Sequence, residues 1–163
     1  MFPLLFPGPM NTIQKMRYEE GVPSPDDYNR LRRDAGWPEM DSTVSERSLT
    51  HSCFAVCVFD DSDLIGMGRV VGDFGLCFFI QDVIVLRTHQ GRGVGDAIMR
   101  RLMKYISEHA VEDTYVGLMS AVGTESFYHK YGFTTRPTEA LGAGMTLLWK
   151  ENGSEGDSDP QVA

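Results

Sequence analysis

Residues 76–106 hold the feature that most restricts this chain's fold. An apolar strand run leads into a turn with three glycines in five residues, and an amphipathic helical repeat follows. Leu76–Leu86 is apolar on both faces apart from Gln81 and Asp82, as a central strand should be. The turn reads His89-Gln90-Gly91-Arg92-Gly93-Val94-Gly95. Beyond it, Val94, Ile98, Leu102 and Tyr105/Ile106 share one helical face, with Arg100, Arg101 and Lys104 near the other. A strand feeding a helix through glycines is an anion site. The backbone approaches closely, and unpaired N–H groups at the helix start point outward. Arg92 adds positive charge, so a pyrophosphate suits the loop.

Other phosphate loops fit less well. A nucleoside-triphosphate loop ends in Gly-Lys-Ser/Thr, whereas this one ends Gly95-Asp96-Ala97. The dinucleotide fingerprint GxGxxG is also poorly met. Gly91, Gly93 and Gly95 alternate strictly, position 96 is Asp, and no acidic residue follows at a clean strand end. A plain strand-to-helix turn needs fewer glycines than this one has.

The rest of the chain supplies a sheet for this unit. Thr12–Glu20 reads as a first strand. Ser24-Pro25 is an N-cap and first helical residue, and the helix stops at Gly36 and Pro38. Thr43-Val44-Ser45-Glu46 fits a capping box. Cys53–Asp60 and Leu64–Gly72 form a hairpin about Asp60-Asp61-Ser62-Asp63. Tyr115–Met119 reads as a short strand, Thr124–Tyr131 as a helix stopped by Gly132, and Gly144–Trp149 as a last strand. The order predicts an α/β (α+β) domain over residues 11–150. A Pro-rich arm (1–10) is expected before it and an acidic, disordered tail (151–163) after it.

Composition narrows the class. The 163 residues suit one domain, with 42% hydrophobic and 23% charged residues. The formal charge of −8 disfavours phosphate backbones, so no nucleic-acid partner is expected. Half of that excess sits in the tail, at Glu151, Glu155, Asp157 and Asp159. Apolar runs are too short to span a membrane, and Met1–Pro7 lacks the positive start of a secretion signal. Cys53, Cys57 and Cys77 lie in apolar runs and read as free core thiols, which places the chain in the cytoplasm. No spacing fits a metal site, so none is expected.

Gln90-Gly91-Arg92-Gly93-Val94-Gly95 meets the pattern Q/R-x-x-G-x-G/A at every required position. Ile80–Leu86 precedes it, and Phe127-Tyr128-His129-Lys130-Tyr131-Gly132-Phe133 follows at the right distance. Together these blocks resemble the GNAT family of N-acetyltransferases, over roughly residues 50–149. The resemblance implies a mixed central sheet of about six to seven strands, splayed at a coenzyme A site and flanked by about four helices.

It also implies a reaction. Acetyl-CoA would be the cosubstrate. Gln90, Gly91, Arg92, Gly93, Val94 and Gly95 would hold its pyrophosphate, and backbone groups of Ile84 and Val85, near a bulge, would pair with the pantetheine arm. A primary amine would attack the thioester directly in a ternary complex. Such an amine, with a pKa near ~10, must first lose a proton. Asp82 is the candidate base and Tyr128 the candidate acid for the leaving thiolate. Pairing with an arginine is the competing role for Asp82, and core packing for Tyr128.

Arg69, Tyr28 and Trp37 either line the acceptor cleft or serve ordinary surface and packing roles. Relatives often carry an Asn ahead of the tyrosine helix. Here the stretch is Ser120-Ala121-Val122-Gly123-Thr124, and Ser120 or Thr124 would substitute. The acidic balance favours a small cationic acceptor such as a polyamine or aralkylamine. A protein amine is the alternative, as is a non-catalytic CoA-binding module. The resemblance leaves a homodimer open.

Overall fold

The fold follows from where the chain stops being able to continue a helix or a strand. In the computed structural model, residues 16–149 are described. The arm at 1–10, the tail at 151–163 and the first residues of the expected strand Thr12–Glu20 lie outside them. The chain groups into two compact units, one up to Gly123 and one from Thr124 onwards.

The first unit begins with β1 (Arg17–Glu20) and then α1 (Pro25–Asp34). Ser24 caps α1, its side chain accepting from Asp27 N, and Pro25 opens the helix with the fixed φ that a first turn tolerates. In α2 (Ser42–Thr50) the cap is Asp41 rather than Thr43. Its Oδ1 accepts from the N–H groups of both Thr43 and Val44. A carboxylate answers the positive end of a helix better than a hydroxyl does, so the helix starts two positions earlier than a capping box at Thr43 requires.

The strands are β2 (Phe54–Asp60), β3 (Asp63–Gly72) and β4 (Cys77–Val85). They are followed by α3 (Val94–His109) and β5 (Tyr115–Leu118). The sheet order is β1-β2-β3-β4-β5, antiparallel except for the β4–β5 pair. The sheet therefore has five strands among the described residues, against the expected six to seven, while the mixed α/β class holds. The sixth expected strand, Gly144–Trp149, forms no ladder. Upstream of it, Arg136 Nε donates to Gly142 O and Thr138 N to Leu141 O, so that segment is held as a turn.

Two layers cover the first unit's sheet. Tyr28, Leu31 and Leu49 from the α1–α2 side pack with Cys57, Leu64, Met67 and Ile84. On the other face, α3 buries Ile98, Met99, Leu102 and Ile106. Each fully buried aliphatic side chain contributes about 1.5–3 kcal/mol. Gly68 sets the approach of α3: a Cβ there would fall 2.5 Å from Ile98 Cγ2. No helix among the described residues is long and apolar enough to cross a membrane.

The second unit contains α4 (Glu125–His129). It ends at His129 with Lys130 as its C-cap, and Gly132, at φ +90°, takes the chain out of the turn that follows, its N–H donating to His129 O.

Candidate active site

The site is built on an irregularity in β4. Met67 pairs with Ile84 and Arg69 with Gln81, so Asp82 and Val83 together stand opposite the single residue Gly68. This is a β-bulge, and Asp82 sits in it at φ +52°. The bulge redirects the side chain. Phe78 packs edge-on against Tyr105 of α3, and a two-residue period would send Asp82 to that same apolar face. The extra residue resets the alternation, and Asp82 points instead toward α1.

There it meets a hydrogen-bonded chain. Arg69 Nε donates to Asp82 Oδ2 at 2.5 Å, and the Tyr28 hydroxyl donates to the same oxygen at 3.1 Å. Arg32 Nη1 donates to the Tyr28 hydroxyl at 3.1 Å, and Arg69 Nη1 reaches Ser48 O and Ser52 Oγ. Asp82 is 9% exposed and Tyr28 5%. Burial raises the Tyr28 phenol above its ordinary value, and the neighbouring Asp82 charge adds to the rise; Arg32 and Arg69 oppose it. The Arg69 and Tyr28 bonds both fall on Oδ2, and Asp82 Oδ1 has no hydrogen-bond partner among the described residues. The arginine pairing expected as the competing role for Asp82 is present at Oδ2.

The edge of β4 opens beside this chain. Parallel pairing with β5 ends at Ile80↔Leu118, while β4 runs on to Val85 against β3. Leu86 N donates to Ile65 O, and the Ile84 carbonyl lies 2.9 Å from where a Gly66 Cβ would be. The main chain of Ile84 therefore faces β3, and its side chain is buried. Val83 and Val85 have the opposite orientation, toward the open edge.

The glycine loop follows. A 3-10 turn spans Arg87–His89, and Arg87 N donates to Asp34 Oδ2. Gln90 Nε2 donates to Val85 O at 3.0 Å, so this side chain ties the loop to the strand end. Gly91 and Gly93 have φ +73° and +78°, values that other L-residues adopt at a cost. Gly93 is the N-cap of α3 and supplies no side-chain cap. The first N–H groups of a 16-residue helix are thereby presented to a ligand, with exposed Arg92 alongside. Val94 buries its side chain in the core, leaving only its backbone for the loop. The open edge and this bare helix start together fit a ligand with an extended amide arm and a pyrophosphate.

In the second unit, Tyr128 lies on α4, edge-on to Phe127 and Phe133. Burial raises its phenol above the ordinary value, which favours the protonated form, and its hydroxyl has no hydrogen-bond partner among the described residues. Neither Arg32 nor Val83 stood out in the sequence. The signal for Arg32 was present, since it follows Tyr28 by four residues and so shares its helix face.

Comparison with known proteins agrees with this geometry. The profile of the Acetyltransferase (GNAT) family matches residues 13–133. An uncharacterized N-acetyltransferase of Porphyra purpurea is 27% identical over 120 residues, covering 71% of this chain and 68% of that protein. A solved probable acetyltransferase of unknown function from meticillin-resistant Staphylococcus aureus is 37% identical with a TM-score of 0.76, covering 83% of this chain and all of that one. A GNAT-family acetyltransferase from Streptococcus pneumoniae shares the fold at 22% identity and TM-score 0.64, over 85% of this chain and 99% of its own.

Proposed function

The chain belongs to the GNAT family of acetyltransferases, and from that premise we propose that it transfers the acetyl group of acetyl-CoA to the primary amine of a small molecule. The observation that carries the reading is the bare N-terminus of α3. It stands behind two positive-φ glycines, at the end of a strand whose pairing with β5 stops short.

Acetyl-CoA supplies an activated thioester. The N–H groups of the loop from Gly91 to Gly95 hold the pyrophosphate, with the helix dipole and Arg92 assisting. Val83 and Val85 offer backbone groups to the pantetheine arm in the manner of an added strand, and an N–H there polarises the thioester carbonyl.

The acceptor arrives as an ammonium and gives its proton to Asp82 Oδ1, directly or through a water. Arg69 and Tyr28 meanwhile hold the carboxylate by its other oxygen. The amine nitrogen then attacks the carbonyl carbon, the C–N bond forms, the nitrogen sheds its second proton to water, and the C–S bond breaks. The departing thiolate takes the Tyr128 proton, and solvent restores it. A raised phenol suits that task, because Tyr128 stays protonated across the working range.

The test is Tyr128→Phe, followed by acetyl-CoA-dependent release of free thiol with a panel of amines. The expected result is a fall in kcat of roughly a hundredfold or more, with acetyl-CoA affinity held. Equal turnover by both proteins would remove Tyr128 from the acid role. Acetyl-CoA binding without turnover of any amine, in either protein, would point to a non-catalytic CoA-binding module.

A further inference from the structure

From the charge pattern of α1 we infer that the acceptor amine carries an anionic group, a carboxylate or a phosphate, and that Arg32 is the residue that reads it. The inference rests on the acetyltransferase reading above and specifies its acceptor. Three arginines lie on α1. Arg30 pairs with Asp27 at 3.1 Å and Arg33 with Glu39 at 2.7 Å. Of the two remaining carboxylates on α1, Asp26 lies in the first turn, six residues before Arg32, and Asp34 accepts from Arg87 N. Arg32 has no carboxylate partner among the described residues.

Its guanidinium is nonetheless held in place. Nε donates to Pro38 O at 2.7 Å and Nη1 to the Tyr28 hydroxyl at 3.1 Å. The cation lies 5.4 Å from the Tyr28 ring centre and 5.6 Å from that of Trp37. A guanidinium has five N–H donors, so several remain after these two bonds. A fixed, partly buried cation with spare donors in fork geometry is what bidentate binding of an anionic group requires.

The location gives the substrate class. Arg32 Nη1 and Asp82 Oδ2 are each 3.1 Å from the same Tyr28 hydroxyl, so the cation and the proton-taking carboxylate are neighbours. That spacing suits an amine and an anionic group only a few bonds apart, as in an amino acid or an aminoalkyl phosphate. Locally, two arginines face one aspartate. This reverses the sign suggested by the whole-chain charge of −8, half of which belongs to the tail.

The experiment uses matched acceptors that differ only in the anionic group: tryptophan against tryptamine for carboxylate, and phosphoethanolamine against ethanolamine for phosphate. Thiol release is followed with the native chain, Arg32→Gln and Arg32→Lys. The native enzyme is expected to prefer the anionic member of one pair. Which pair it is separates the two ligand sources. Arg32→Gln should raise KM for that member roughly ten- to a hundredfold, with kcat at saturation much less affected, so that the preference collapses. Arg32→Lys should recover part of it. A structural lesion would lower kcat for both members alike and leave their ratio intact. Preference for tryptamine and ethanolamine, or an unchanged ratio in Arg32→Gln, overturns the inference while the acetyltransferase reading stands. Silence of all four acceptors, with acetyl-CoA still bound, removes both.

Discussion

Arg69 Nε and Asp82 Oδ2 are 2.5 Å apart across the β3–β4 bulge, with the two side chains only 13% and 6% exposed. Removing one partner of such a pair strands the other charge away from water, which costs about 3–5 kcal/mol. Asp82→Asn isolates that effect, because Asn tolerates the φ of +52° that Asp82 adopts. We expect Asp82→Asn and Arg69→Met each to lose about 3–5 kcal/mol in urea unfolding, and the double variant to lose well under their sum. Additive losses would mean that the pair is not coupled. On the activity side, Asp82→Asn should lower kcat by roughly a hundredfold or more, whereas Arg69→Met, which leaves the carboxylate in place, should retain part of it.

Much of this architecture could be read from local chemistry. Ser24-Pro25 announced α1, the acidic turn at Asp60–Asp63 announced a hairpin, and the glycine loop announced the anion site and the helix behind it. Long-range register was not readable. Asp82 and Tyr28 are 54 residues apart, and their contact exists only because one extra residue in β4 reverses which face Asp82 takes. A bulge carries no composition signal here, since Asp82 is not a glycine. The same reversal turned the main chain of Ile84 toward β3 and gave the open edge to Val83. At Gly144–Trp149, β-prone residues were present but no ladder partner was. Strand propensity describes how a segment fits a sheet, and it cannot supply the neighbouring strand.

Burial gives the protein an alkaline limit to which the Cys57 thiol contributes most, with Cys53 raised in the same direction. Cys57 is 3% exposed, and loss of hydration pushes its thiol from an ordinary value of 9.0 up to about 12. The folded chain therefore keeps this proton where the unfolded chain releases it. The stabilisation is fully present below about pH 9 and is lost as pH rises toward 12, with a slope approaching 1.4 kcal/mol per pH unit. Tyr28 and Tyr128, also raised by burial, add the same sign at higher pH. Urea unfolding at pH 8, 9, 10 and 11 should show a slope shallower by close to one proton in Cys57→Ala than in the native chain. Identical slopes would assign the alkaline transition to other groups.

The glycine loop makes a prediction that separates stability from binding. Gly93 and Gly21 both have positive φ, +78° and +137°, and a Cβ at either would meet nothing within 4 Å. Alanine at each position therefore acts through backbone strain alone, at about 1–3 kcal/mol. Their places in the fold differ. Gly93 caps α3 and aims its first N–H groups, whereas Gly21 follows β1, with its N–H bonded to Ala55 O. Similar losses of stability should accordingly have dissimilar effects on the cosubstrate. Gly93→Ala is expected to weaken acetyl-CoA binding about tenfold, the worth of one hydrogen bond to a charged group, measured by calorimetric titration. Gly21→Ala should leave the same titration within about twofold of the native chain, since its strain adds to the cost of folding and not to the geometry of the loop. Equal weakening by both would show that binding follows global stability, and the helix start would lose its claim as the pyrophosphate site. Loss confined to Gly93→Ala would tie affinity to the direction of those few N–H groups, which is the physical content of a bare helix N-terminus behind a left-handed glycine.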